Sequence, residues 1–289
     1  MFDSDHLNSL RPPVAPLNRR VLVKASLTIG FCAAVTPVLA QVVTTSADGL
    51  VAGEVKVPAG DADIPAYRAM PDHGGPFPSV LVIHEIFGVH EYIKDVCRRW
   101  AKLGYYAIAP DLYARVGDAS SETDIKKIMA DIVSKIPDAQ VLSDLDAALA
   151  FARASGSADV SRAAVTGFCW GGRESWLYAA HNPSLKAAIA WYGPLGGAPG
   201  ALKPKNPPDI VGDLKVPVLG LYGGKDAGIT APQIAAMREK LAAAGGASKI
   251  IVYDDTGHAF HADYRPSYNK ADAEASWKEA TGWLKDHGV

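Results

Sequence analysis

"TGFCWGG", residues 166–172, stands between an apolar run, "RAAVTGF" (162–168), and a segment with helical spacing, "GGRESWLYAAH" (171–181). An apolar run that stops at a glycine-flanked reactive residue and resumes as a helix is the pattern of a sharp strand-to-helix turn that presents a nucleophile. Cys169 occupies the nucleophile position. Such a turn strains the backbone of that residue, and glycines at 167 and 171 remove Cβ atoms that would collide with each other across it. Gly172 permits close packing of the outgoing helix. With the helix starting at Cys169, its free N–H groups and positive dipole end favour a thiolate and can hold an oxyanion. Alone, the motif also fits a buried, inert cysteine on a core turn.

Outward from the turn, strand and helix patterns alternate. "GEVKVP" and "IPAYRAMP" read as an opening hairpin. The apolar runs at 79–85, 105–113, 186–193, 216–223 and 248–255 read as further strands, and helical spacing covers 91–104, 122–135, 138–154, 232–244 and 267–286. Alternation over this length predicts a single α/β domain, residues 41–289, on a mostly parallel, doubly wound sheet. The Pro- and Gly-rich stretch 193–209 has no periodicity, which suits a loop over a pocket.

Two later segments complete a chemical set. "LYGGKDAGI" puts Asp226 just past one predicted strand, and "DDTGHAF" puts His258 just past the next, in the order nucleophile, acid, histidine. A neutral imidazole can take the thiol proton, while the aspartate fixes its tautomer and stabilises the imidazolium. Singly, Asp226 also reads as a turn residue and His258 as a cap or surface group. "HEIFGVH" is not a zinc signature, because His90 follows His84 by six residues and the segment leaves a strand. "HAFH" (258–261) has no accompanying acidic or cysteine ligands, so neither a metal nor a cofactor is expected.

The chain resembles the dienelactone hydrolase family of α/β-hydrolases from about residue 52 to its end. The resemblance rests on "HEIFGV" (84–89), "APDLYAR" (109–115), "GFCWGG" (167–172), "GGKD" (223–226) and "GHAF" (257–260). It implies an α/β-hydrolase fold and a cysteine hydrolase for lactones or esters, with Cys169, Asp226 and His258 as triad and a covalent thioester intermediate. It further implies that Glu85 contacts the thiol and helps deprotonate it, and that the backbone N–H groups of Ile86 and Trp170 form the oxyanion hole. Arg115 matches a family arginine that meets a substrate carboxylate. The family's second arginine falls where this chain has Ala262, and Arg265, three residues on, stands in for it. The competing reading is a catalytically idle small-molecule binding module on the same fold.

At the N-terminus, "NRRVLVKASLTIGFCAAVTPVLAQ" places paired arginines before an uncharged apolar run. This is the pattern of a twin-arginine export signal over residues 1–40, with the mature chain starting near Gln41 and working in the periplasm or outside the cell. The apolar run is shorter than the roughly 20 residues a membrane span needs, so no stable insertion is expected once the signal is cut. Export leaves Cys97 and Cys169, two thiols expected to stay unbonded. The formal charge of −2, spread without a basic stripe, excludes a nucleic-acid footprint. The expected partners are a small-molecule substrate and the export machinery, and the enzyme is expected to be a monomer.

Overall fold

The computed structural model describes residues 43–120 and 122–289; the expected signal segment, residues 1–40, lies outside them. Eight strands form one sheet in the order β1-β2-β4-β3-β5-β6-β7-β8. The hairpin is β1 (Leu50–Pro58) and β2 (Asp63–Pro71), antiparallel to each other. β2 also runs antiparallel to β4 (Tyr106–Pro110). The remaining neighbours, β3 (Phe77–Ile83), β5 (Ala158–Phe168), β6 (Ala187–Trp191), β7 (Val218–Gly223) and β8 (Lys249–Tyr253), pair in parallel. Every residue of β4, β6 and β7 is buried, as expected of parallel strands covered on both faces.

The helices are α1 (Glu91–Lys102), α2 (Asp138–Ala154), α3 (Trp170–His181), α4 (Ala231–Ala244) and α5 (Lys270–Asp286). The chain steps from β3 to β4 on one side, then back past β3 to β5 and outward to β8. Right-handed crossovers in opposite directions put their helices on opposite faces. Accordingly α1 and α5 meet through Trp100 and Trp277, ring centroids 4.5 Å apart, while the Tyr178 hydroxyl of α3 donates to Asp146 of α2 at 2.9 Å. The reversal at β3 creates a crevice at the carboxyl ends of the strands, where open sheets of this kind hold ligands.

The sequence patterns and the elements agree closely except at three places. The expected helix at 122–135 is a composite of a short α-turn, Ile125–Lys127, a π-turn, Ile128–Ile132, and a 3-10 turn, Val133–Lys135. The stretch 193–209 is tied down rather than loose: Leu202 O accepts from the Asp138 N–H at 2.9 Å and Lys205 O from Arg173 Nη2 at 2.7 Å. Third, the elbow glycines do not avoid each other's Cβ atoms. A Cβ on Gly167 would lie 2.1 Å from the Gly171 carbonyl oxygen, whereas one on Gly171 would lie 2.5 Å from the carbonyl oxygens of Ile83 and His84. The elbow is thus compressed against the end of β3 as well as against itself.

Gly167→Ala is expected to cost about 3 kcal/mol or more, because backbone rather than a flexible side chain must move. Gly53→Ala, where an added Cβ meets nothing within 4 Å, is expected to stay within about 0.5 kcal/mol. Urea denaturation of both variants checks the contrast, and equal stabilities would contradict the compression.

Candidate active site

Cys169 is the N-cap of α3, whose first residue is Trp170 rather than Cys169 as expected, and it sits at φ 54°, ψ −118°. Its N–H donates to Trp191 O at 3.0 Å, and its carbonyl accepts from Gly172 and Arg173 at 2.9 and 3.2 Å. Trp170 is the first residue of α3, so its N–H has no acceptor within the helix and points an N-terminal dipole at the turn. The crevice gathers the other expected groups from separate strand ends: Glu85 and Ile86 after β3, Asp226 after β7, His258 after β8. All four of these residues, and Cys169, are buried.

The Asp226–His258 pair has ordered geometry. Asp226 Oδ1 accepts from the N–H groups of Gly228 and Ile229 at 2.8 and 3.1 Å, and Oδ2 lies 2.7 Å from His258 Nδ1. A carboxylate that only accepts makes Nδ1 the protonated nitrogen, which leaves Nε2 for the Cys169 thiol. Burial by itself would keep this imidazole neutral. Charge on Asp226 and Cys169, with hydrogen bonds to both, outweighs burial and pushes His258 up to about 10. The dull reading of Asp226 as a turn residue is therefore also true: one oxygen closes an Asx turn and the other orients the histidine.

Glu85 is 1% exposed yet held as a carboxylate. Burial opposes its charge, and His90, Arg265 and Tyr264 overcome that and keep it below the usual carboxylate range. Tyr264 donates to Oε2 at 2.7 Å, and His90 Nε2 lies 3.4 Å from the same oxygen. Arg265 is buried over the rings of Phe87 and Tyr264, 5.5 and 5.9 Å from their centroids, and its guanidinium feels charge on Glu85 and Cys169. Ala262, at the family's second arginine position, is buried and apolar.

Arg115, expected at a substrate carboxylate, is paired here with Asp61 and Asp144. Its Nη1 donates to Asp144 at 2.7 Å, Nη2 to Asp61 at 2.7 Å and Ala59 O at 2.9 Å, and Nε to Asp61 at 3.0 Å. Asp144 is 2% exposed, so the guanidinium serves to neutralise a buried carboxylate.

Several further side chains surround these groups. Tyr192 packs its ring 5.2 Å from His258 with φ 37°, and Tyr113 lies 5.0 Å from Trp170. The Tyr113 hydroxyl is kept protonated by burial and by charge on Cys169, Glu174 and Asp111. His84, weighed above only as a metal ligand, is a clamp: Nδ1 meets Glu85 O at 2.7 Å and Nε2 accepts from the Leu112 N–H at 3.1 Å. His261 is paired with the Tyr92 hydroxyl at 2.6 Å. Both thiols, Cys97 and Cys169, are free as expected.

Comparison with known proteins agrees with this architecture. The dienelactone hydrolase family profile matches residues 64–288. A Methylorubrum extorquens protein provisionally named carboxymethylenebutenolidase is 58% identical over 289 residues, covering 100% of this chain and 99% of its own. A protein of the same provisional name from Escherichia coli K12 is 51% identical over 260 residues, covering 90% of this chain and 96% of its own. A crystal structure from Klebsiella pneumoniae, provisionally named dienelactone hydrolase, superposes with TM-score 0.80 at 51% identity over 82% of this chain and 98% of that one. The chain belongs to the dienelactone hydrolase family and is a hydrolase of the α/β-hydrolase fold.

Proposed function

We propose that the protein opens a lactone, or cleaves another activated carboxylic ester, through Cys169, His258 and Asp226. The observation that carries this reading is the placement of Asp226 and Cys169 against one buried imidazole, which both raise to about 10. The names of its relatives, carboxymethylenebutenolidases, support the same chemistry.

In this scheme His258 Nε2 holds the thiol's proton as an imidazolium, and the sulfur attacks the carbonyl carbon. The carbonyl π pair moves onto oxygen, which accepts from the N–H groups of Ile86 and Trp170. Collapse breaks the bond to the ring oxygen, which takes the proton from His258; the opened chain stays bound as a thioester. Water then attacks the thioester with His258 as base, and the acid leaves with the thiol restored. Sulfur suits esters and enol lactones, whose leaving groups depart more readily than amines, because a thiolate is itself a good leaving group. Glu85, held below the usual carboxylate range, is the weaker base of the two, so His258 takes the proton and Glu85 anchors Tyr264 and Arg265. A substrate carboxylate drawn to Arg265 would loosen its hold on Glu85 and raise basicity beside the thiol.

The test is turnover of a purified lactone or aryl ester with and without alkylation of Cys169. Labelling is expected to abolish turnover, and Cys169→Ser to lose on the order of a hundredfold while keeping its circular dichroism. Full activity in the serine variant would refute sulfur as the specific nucleophile.

The raised His258 sets a pH limb. A folded pKa above the unfolded value of about 6.5 means that the imidazolium's stabilising contribution is complete below that value and lost as pH rises through about 10. The general acid disappears over the same window, so kcat/KM is expected to fall on an alkaline limb near 10. In Asp226→Asn the limb should move to lower pH, because the largest favourable charge is gone. An unmoved limb would assign it to another group.

In this reading Arg265, buried beside Glu85, rather than Arg115, receives a substrate carboxylate. Arg265→Met is expected to lower kcat/KM for a carboxylate-bearing lactone on the order of tenfold more than for a neutral ester. Arg115→Ala should instead lower the melting temperature and affect both substrates alike, since it strands Asp144. A selective loss in the Arg115 variant would reverse the assignment.

A further inference from the structure

Beside the elbow lies a half-open cleft of about 740 Å³, within the roughly 300–1,000 Å³ range of small-molecule sites. One wall is the interrupted helix, with Met129 and Val133; the other is the glycine-rich stretch 194–206, including Leu202; Trp170 closes the inner end. Among the described residues, three cations, Lys126, Arg173 and Lys203, border it, and no carboxylate does. Arg173 is already matched by Asp138 at 2.8 Å and Glu174 at 2.6 Å. The cleft is built rather than incidental, because both walls are fastened: Leu202 O binds the Asp138 N–H, and Lys203 Nζ donates to Ile136 O at 3.2 Å.

Trp170 connects this cleft to the chemistry. Its backbone N–H is the proposed oxyanion donor, and its ring, 1% exposed, lines the cleft. The ring contacts His84 and Tyr113, at 5.4 and 5.0 Å, whereas His258 contacts Tyr192. The leaving oxygen must face His258 to take its proton. The other substituent of the carbonyl is left for Trp170.

Resting on the hydrolase reading above, we propose that this cleft receives the acyl portion of the substrate. The substrates are then esters or lactones with a medium-chain or aryl acyl group, neutral or anionic at its outer end, rather than small compact lactones. The apolar walls supply affinity by removing that group from water. Trp170 is thereby the residue that divides acyl group from leaving group.

The experiment compares p-nitrophenyl octanoate with p-nitrophenyl acetate on the purified protein. The parent is expected to favour octanoate by about tenfold or more in kcat/KM, the scale on which an apolar pocket rewards added methylenes. Ala130→Trp and Gly200→Leu place bulk in the cleft; Ala130 is exposed and an added Cβ at Gly200 meets nothing within 4 Å, so neither substitution crowds the core. Each should cut the octanoate-to-acetate ratio about tenfold, with circular dichroism confirming the fold. If both esters are cleaved but the parent shows no preference, or the filled variants retain it, the cleft is not the acyl site and the hydrolase reading stands. If the parent cleaves neither ester nor any lactone, the hydrolase reading itself fails and takes this inference with it.

Discussion

The clearance between the Cα of Gly167 and the carbonyl oxygen of Gly171 governs how the rest of the site is assembled. With no room for even one Cβ there, the chain can reverse from β5 into α3 within a few residues. That reversal holds Cys169 in a conformation L-residues rarely adopt, a cost of order 1–3 kcal/mol that the surrounding sheet must supply. It does so through the hydrogen bond from Cys169 N–H to Trp191 O and through the packing of α3 against two strand ends, at Ile83 and His84 on one side and Trp191 and Gly193 on the other. Tyr192 and Ala259 are the other non-glycine residues with positive φ among the described residues, and they flank the same crevice. Among the described residues, positive φ at non-glycine positions is confined to this edge of the sheet.

Charge is the second constraint, since the crevice is dry. Asp226, Glu85, His258 and Arg265 are all buried, and each is tolerable only beside an opposite partner or a firm donor. Asp226 uses two backbone N–H groups and the imidazole; Glu85 uses Tyr264, His90 and Arg265. Moving a proton from thiol to His258 leaves the net charge of this set unchanged, so the step demands no new compensation from solvent. In the proposed reaction an oxyanion would add a charge without a side-chain partner, and the backbone N–H groups at the start of α3 are the donors proposed for it. A substrate carboxylate would likewise have to compete with Glu85 for Arg265.

What was legible in the sequence was local. Cys169, Asp226 and His258 each end an apolar run, so their placement at one edge followed from strand order and nothing else. The partners of Glu85 were not legible, because Tyr264 is 179 residues away and no pattern links them. Arg115 shows the same limit in reverse. The motif around it matches the family, but its destination is decided by Asp61 and Asp144, 54 and 29 residues away, one of them buried and in need of a cation. The segment 122–135 has helical apolar spacing, yet it widens into a π-turn where Ile128 and Ile132 must both face the core beside the cleft. Periodicity reports which residues go inside, and tertiary packing decides how the backbone bends to put them there.

The two free cysteines separate burial from reactivity. Cys97 is fully buried in the middle of α1, and burial pushes its thiol far above the ordinary range; the nearby Arg98 charge only partly opposes this. Cys169 is nearly as buried, at 2% exposure. The difference lies in what surrounds each sulfur. At Cys97 the helix has consumed every backbone N–H, while at Cys169 a helix begins, an imidazole raised by Asp226 stands within hydrogen-bonding reach, and Arg265 contributes a second cation. A low dielectric therefore silences one thiol and strengthens every favourable interaction around the other. The same burial that raises the Cys97 thiol sharpens the interaction of the Asp226–His258 pair with Cys169.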